Sequence, residues 1–540
     1  MNQPQLSRSL SNAMQEAYQH EQAGRIGEAE AVYHRIIAKY PRFDPVFQAY
    51  ALLAFGVGNL PLAADLYHKA IVLDGSVAIY YRSYGEICRR LGRFDEAVAA
   101  ATQACRLAPG DIDAHFNLGL ALSDANKTAE ADHAYRRVLA LLEPVLANDA
   151  GLPLWWNMRA NALHRLCEFA AARVAYERAL TLQPDFPVAL NGLGSLLIDI
   201  GAVSEARVFF TKALQLTPDF TQARLNLGMA QLKQGDWQDG WDNYEARWTG
   251  SSEHQNGTFV RPVCPLPQWN GQGDLAQQGL LVIAEQGFGD TFQFARYLSL
   301  AVERFGRVGF VCPAPGLHLL IEQSFGEQVV LLKRMPQDYT GWHWQCPLLS
   351  LPRAFGTRID TIPAAVPYLQ VSKLAQAHWR ERLDGAAPNR IRVGVAWAGR
   401  RSHQYDARRS LRSTQLLSLL QVPGITWVSL QKLGEGEARP MVPQGVAWID
   451  WSEELCDFAD TAALVDNLDL VISIDSAIAH LAGAMARPVW MLNRFDCEWR
   501  WLEQRADSPW YPGMRIFNQP RYGDWESVLA AVKVELASLT

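Results

Sequence analysis

Asp475, Ser476 and His480 stand within six positions of one another, directly after the apolar run LDLVISI at 468–474. That run reads as a buried strand, and the following AIAHLAGAMA reads as a helix stopped by Pro488. The carboxylate and hydroxyl then sit at the carboxyl end of a strand and the amino end of a helix. Unpaired backbone N–H groups and the helix dipole favour an anion there. Ser476 and His480, four apart, share one helix face and can address a single ligand. Two readings stay open: the trio caps the helix and fills the core, or it binds.

Two further stretches carry chemistry. EQGFGD at 285–290 follows the strand-like LLVIA, so Gly287 and Gly289 form a turn into a helix that Asp290 either caps or leaves to face a cleft. Arg400, Arg401, Arg408, Arg409 and Arg412 crowd the segment after the apolar IRVGVAWAG (391–399), and Lys432 ends ITWVSLQK (425–432). Guanidinium forks neutralise anionic oxygens without a metal, although a charge run is equally a solvated loop. Arg409 and Lys432 are the first choices for an anion. Trp397 either stacks on a base or sugar or packs in the core. The D-x-D at 111–113 falls in a repeat turn, so no metal is expected.

The elements that must position these groups make up a chain of 540 residues, too long for one core at roughly 150 residues per domain. A formal net charge of -6 with 20% charged residues gives no basic field for nucleic acid. Eight cysteines without a C-x-x-C pair indicate reduced thiols in a cytoplasm. MNQPQLSRSL is not a signal peptide and no long apolar run spans a membrane, so a cytoplasmic protein is expected.

The first half repeats itself. A small residue recurs at Ala29, Ala63, Ala97, Ala131, Ala172, Ala206 and Gly240, in steps of 34 except for one of 41. The extra seven residues fall around EPVLANDAG (143–151), where Pro144 and Gly151 predict a longer turn. Gly85, Gly119, Gly194 and Gly228 precede their repeat's small residue by twelve, at positions where two helices must approach closely. Such hairpins cannot bury their apolar faces alone, and stacking supplies the core. Trp237, Trp241 and Trp248 replace smaller residues in the last repeat and predict a terminal unit sealed against a neighbouring domain. These repeats resemble the tetratricopeptide repeat (TPR), which implies a groove that holds a peptide or protein. Asn117 and Asn226, two before the repeat glycines, resemble the asparagine ladder in the TPR groove of O-GlcNAc transferases and imply acceptor binding.

The predicted fold is an all-α TPR superhelix followed by an α/β region. Residues 1–248 hold about seven repeats, and 249–275, rich in Gly, Pro, Ser and Asn, read as an extended linker. Apolar runs then alternate with helical patterns twice, over 276–372 and 388–520, joined by a helix near 374–383 and closed by a helix within 521–540. Alternation of this kind predicts two Rossmann-like domains with parallel sheets.

With EQGFGD, WAG and its basic loop (397–412), SLQK (429–432), the stretch 457–480 and DSPWYPGMRIFNQPRYGDW (507–525) in place, residues 260–530 resemble bacterial TPR-linked glycosyltransferases. The catalytic part of those enzymes is similar to lipopolysaccharide heptosyltransferases. The resemblance implies a GT-B fold, with donor nucleotide bound mainly by the second α/β domain and inversion at the anomeric carbon. The D-[ST]-x-x-x-H donor motif matches Asp475, Ser476 and His480, with Ser where Thr is common. The Gly-x-Gly-Asp turn matches Gly287, Gly289 and Asp290, which makes Asp290 the general base. Trp397, Gly399, Arg409 and Lys432 complete the nucleotide-sugar site.

The expected function is transfer of a sugar from a nucleotide donor to a hydroxyl, on Ser or Thr of a protein held by the repeats. By resemblance, flagellin or another surface protein is an acceptor class. No cofactor is expected beyond the nucleotide-sugar substrate, and no nucleic acid or membrane insertion. The competing expectations are a TPR scaffold with an inactive GT-B half and a lipopolysaccharide-type sugar transferase.

Overall fold

The computed structural model describes residues 8–148, 151–251, 260–387, 390–400, 406–434 and 439–539. Arg401 and the middle of the 249–275 linker lie outside them. The chain divides into two compact units, residues 1–196 with 248–260, and residues 197–247 with 261–540.

Among the described residues up to 244 there are fourteen helices, which pair as hairpins within each unit, from Arg8–Gln22 with Ile26–Lys39 in the first to Thr221–Gln234 with Trp237–Tyr244 in the second. The repeat alanines are at most 2% exposed. A Cβ built on Gly119 would lie 2.5 Å from the Tyr135 ring, and one on Gly228 would lie 2.7 Å from the Tyr244 backbone. These glycines are therefore where facing helices touch. Gly192 is a further contact, against Tyr176 at 2.6 Å. The reading of Pro144 as a turn is corrected. The helix Thr128–Asn148 runs through it, lengthening one helix to 21 residues, because Leu142 and Leu146 keep that helix's apolar face buried on both sides of the proline.

In the second unit four strands, β1 Gly279–Ile283, β2 Arg307–Val311, β3 Val329–Leu332 and β4 Trp344–Pro347, pair parallel in the order β3-β2-β1-β4. Six more form a second parallel sheet. They are β5 Ile391–Ala396, β6 Ile425–Ser429, β7 Ala447–Ile449, β8 Leu470–Ile474, β9 Val489–Asn493 and β10 Met514–Asn518, in the order β10-β9-β8-β5-β6-β7. β1, β6 and β8 are buried along their whole length, as continuous apolar runs in a parallel sheet must be. The described end of the linker is not loose. Trp269 donates its backbone N–H to Gln345 O at 2.9 Å, alongside β4, and packs edge-on against Phe305 and Phe355.

The last hairpin belongs to this unit's core. Trp237 and Trp241 are 2% exposed, and Trp237 stacks on Trp510 with ring centroids 5.4 Å apart. Trp241 meets Trp499 edge-on and donates its indole N–H to Thr357 O. Arg247, at the end of that hairpin, forms a two-pronged pair with Glu285, both bonds 2.9 Å and each side chain 1% accessible.

Candidate functional site

The chain order of each sheet reverses at one point. In the smaller sheet β1 is flanked by β2 and β4, and in the larger β5 is flanked by β6 and β8. Crevices outside the carboxyl ends of strands at such reversals are where open parallel sheets take ligands. The turn 285–290 leaves β1 there, and Asp475 and Ser476 leave β8 there.

The β1 turn reverses through Gln286, a non-glycine residue in the left-handed region at φ 59°. Gly287 then caps the helix Phe288–Phe294, with Asp290 in its first turn. Asp290 Oδ2 accepts the Gly287 N–H at 2.9 Å, and its other oxygen pairs with Arg500 Nη2. Burial raises the pKa of Asp290 above the usual carboxylate range, and Arg500 opposes that rise.

At the β8 turn Ser476 caps the helix Ala477–Ala484, accepting the Ile478 N–H at 3.3 Å, and bonds Ser473 Oγ at 2.9 Å. Asp475 is partly exposed. Burial, then Glu498, raises its pKa. His480 is 5% exposed. Its Nδ1 is 2.9 Å from the Tyr511 hydroxyl, its ring stacks on Trp501 at 5.2 Å, and its Nε2 lies 3.8 Å from Asp475 Oδ1. Burial, reinforced by Arg500, lowers its pKa to about 3, so the imidazole is neutral at physiological pH.

The two turns meet. A Cβ on Gly289 would lie 3.0 Å from His480 Cδ2 and 3.5 Å from Ala477 Cα. Gly287, Gly289 and Asp290 on one side and Asp475, Ser476 and His480 on the other therefore form one locus. Arg409 joins it, donating to Asp475 O at 3.2 Å. Gly399 lies beside Arg409, since a Cβ there would come within 2.4 Å of its guanidinium.

Other expected residues are engaged elsewhere. The ring of Trp397 is 4% exposed and packed in the core of the larger sheet, so it presents no face to a base or sugar. Lys432 is exposed and donates to Leu455 O at 3.0 Å. Arg408 pairs with Asp199 and Asp496 at 2.9 and 3.1 Å, while Arg400 and Arg412 are exposed. Asn117 is half-buried on the helix Ile112–Asp124 of the first unit, and Asn226 half-buried on the helix Thr221–Gln234 of the second.

The segment between β9 and β10 supplies Tyr511, within the stretch 507–525 already singled out, and two residues unforeseen from sequence, Arg500 and Trp501. Arg500 donates Nε to Gln293 Oε1 at 2.8 Å and pairs with both Asp290 and Glu498. Burial works against its charge, but Glu498 and Asp290 outweigh burial and hold it protonated. An arginine between two tryptophans, in EWRW, was the only trace of this in the sequence. Among the described residues no group of three or more His, Cys, Asp or Glu side chains is arranged to hold a metal ion, and no helix is long and apolar enough to cross a membrane.

The tetratricopeptide repeat family matches residues 49–112 and 153–186, so the amino-terminal all-α region carries TPR repeats. Protein FlbA of Caulobacter vibrioides is 26% identical over 94% of this chain and 87% of its own length. Human protein O-mannosyl-transferase TMTC3 is 24% identical over 25% of this chain, which spans only 15% of TMTC3. Among solved structures, that of Pseudomonas aeruginosa pilF covers 42% of this chain and 97% of its own, at 20% identity and a TM-score of 0.32.

Proposed function

We propose that this protein is a GT-B glycosyltransferase, with Rossmann-like domains at 276–372 and 388–520, that moves a sugar from a nucleotide donor to a hydroxyl of a protein acceptor. The observation that carries this reading is the seating of Gly289 against His480, which joins the Asp290 turn of one sheet to the Asp475–Ser476 turn of the other. Sugar transfer needs such a junction, with a base for the acceptor hydroxyl on one side and a receptor for the donor phosphates on the other. The N–H groups at the start of the helix Ala477–Ala484 and the Arg409 fork supply the second without a metal. Asp290 supplies the first. It takes the hydroxyl proton as the oxygen attacks the anomeric carbon from the face opposite the leaving diphosphate.

His480 has a different role from the one its spacing suggested. Neutral and packed between Trp501 and Tyr511, it sets the spacing of the two turns rather than contacting the nucleotide-sugar itself. The repeats hold the acceptor, with Asn117 and Asn226 as contacts, and the setting is cytoplasmic. The TPR matches and the similarity to a segment of a protein O-mannosyl-transferase support a protein acceptor.

Asp290→Asn tests the base. Transfer should fall by about 10²–10⁴-fold, while calorimetric titration with UDP, ADP, CMP and GDP retains the wild-type preference for one of them. Undiminished transfer refutes the assignment. Failure of the wild-type protein to bind any of the four supports the scaffold reading instead.

A further inference from the structure

Arg500 reaches the candidate base from the far side of the site. It lies on the short turn Trp499–Trp501 after β9, and every edge of its guanidinium is used: Nη2 on Asp290, Nη1 on Glu498, and Nε on Gln293 at 2.8 Å. The indole of Trp499 lies 4.6 Å from its Cζ, which fixes the plane of the fork. Gln293 sits on the same helix as Asp290, so Arg500 grips that helix at two points three residues apart. Asp290 is thus held through both oxygens, one by the Gly287 N–H of its own turn and one by a residue 210 positions later.

We propose that Arg500 is the positioning residue of the candidate base: it holds Asp290 as an aimed carboxylate, and base competence therefore requires the segment after β9 to reach the turn after β1. This deepens the reading above and rests on Asp290 being the base. Burial and Glu498 push Asp290 toward its protonated form, and Arg500 opposes both. Other charged or titratable groups around this locus include Tyr244 and Arg247 from the last hairpin, His480 and Asp475 from the β8 turn, Arg409 from the loop after β5, Arg296, and Arg494 and Tyr511 from the segment after β9. In the transfer step the acceptor O–H gives its proton to Asp290 and its oxygen bonds the anomeric carbon. The sugar–phosphate bond breaks, and its electron pair leaves on the diphosphate. Asp290 is then neutral, and Arg500 has lost the carboxylate charge it had balanced.

The experiment uses the full chain with Arg500→Gln and Arg500→Lys, each also in an Asp290→Asn background. Thermal melting from pH 4 to 8 reads the pairing without any substrate. The penalty of Arg500→Gln should be largest at high pH, shrink as acidification protonates Asp290, and shrink less in the Asp290→Asn background, where only Glu498 and His480 still titrate against Arg500. Arg500 also lowers the pKa of His480, but that contribution changes alike in both backgrounds, so the difference between backgrounds isolates Asp290. In transfer assays the acid limb of kcat/KM should move up by about one pH unit or more, roughly a tenfold loss below the limb, since a close opposite charge lowers a carboxyl pKa by about that much. Arg500→Lys should move it less, and it supplies the same comparisons if Arg500→Gln does not fold. A penalty with the same pH dependence in both backgrounds overturns the proposal. So does an unmoved acid limb when Asp290→Asn abolishes transfer, a result that leaves the base assignment standing. Transfer that survives Asp290→Asn strikes the base reading itself.

Discussion

Gly289→Ala probes the junction on which the functional reading depends. The glycine is not in the left-handed region, so an alanine meets no backbone strain, and as a helical residue it gains about 0.5–1 kcal/mol of chain entropy. The obstacle is steric. The new methyl would stand 3.0 Å from His480 Cδ2, inside ordinary van der Waals contact, and the neighbours must yield by a few tenths of an ångström. His480 has nowhere to go, being bonded to Tyr511 and stacked on Trp501, while on the other side Ala477 Cα is backbone. The helix Phe288–Phe294 must then back away from the helix Ala477–Ala484. Overpacking of this kind costs about 1–3 kcal/mol, so the net loss should be about 0.5–2 kcal/mol, read as a lowered melting temperature. Because a misplacement near 1 Å costs about 10²-fold in rate, transfer should fall about tenfold or more. Gly289→Ala/His480→Ala removes the wall, and its loss should be smaller than the sum of the single losses by about 1 kcal/mol. Strict additivity, or a Gly289→Ala protein that melts and transfers like wild type, would refute the apposition.

His480 gives a pH signature. Its folded pKa of about 3 lies below the 6.5 of a free histidine, so the unfolded chain binds the extra proton first and stability falls on acidification. The stabilisation is complete above pH 6.5 and declines by up to about 1.4 kcal/mol per unit toward pH 3. Melting of His480→Gln should be flatter across that window, and an unchanged slope would show that the ring is solvated. For the buried pair, Arg247→Met strands the Glu285 carboxylate and should cost about 3–5 kcal/mol. Arg247→Met/Glu285→Gln keeps an acceptor for the Leu349 N–H and should recover most of that loss. Equal losses in the single and double variants would contradict the pairing.

Sequence patterns carried far where they were local. The repeat period located the helix contacts, and the runs LLVIA and LVISI became β1 and β8 because strands buried on both faces leave a near-continuous apolar record, while IRVGVA became β5 although Arg392 interrupts it. β4, β7 and β10 left none. WQCP is four residues with a polar second position, AWI is half-buried at an edge, and MRIFN alternates inside an aromatic-rich stretch. The polar turns after β1 and β8 were visible as motifs, but their contact was not, because nothing in either motif reports the other. The burial of His480 depends on Trp501 and Tyr511, 21 and 31 positions downstream, and the Arg500–Asp290 pair spans 210. Spacing rules of three or four residues cannot reach such distances. Trp397 and Lys432 show the opposite error: proximity to a promising strand end does not decide where a side chain points.

The burial of Trp237 and Trp241 among Trp499, Trp510 and Phe294 bears on how such a protein diversifies. The hairpin Thr221–Gln234 with Trp237–Tyr244 is not interchangeable with the others, since its indoles are ingredients of the α/β body. A fragment begun after residue 248 would be missing part of its own interior.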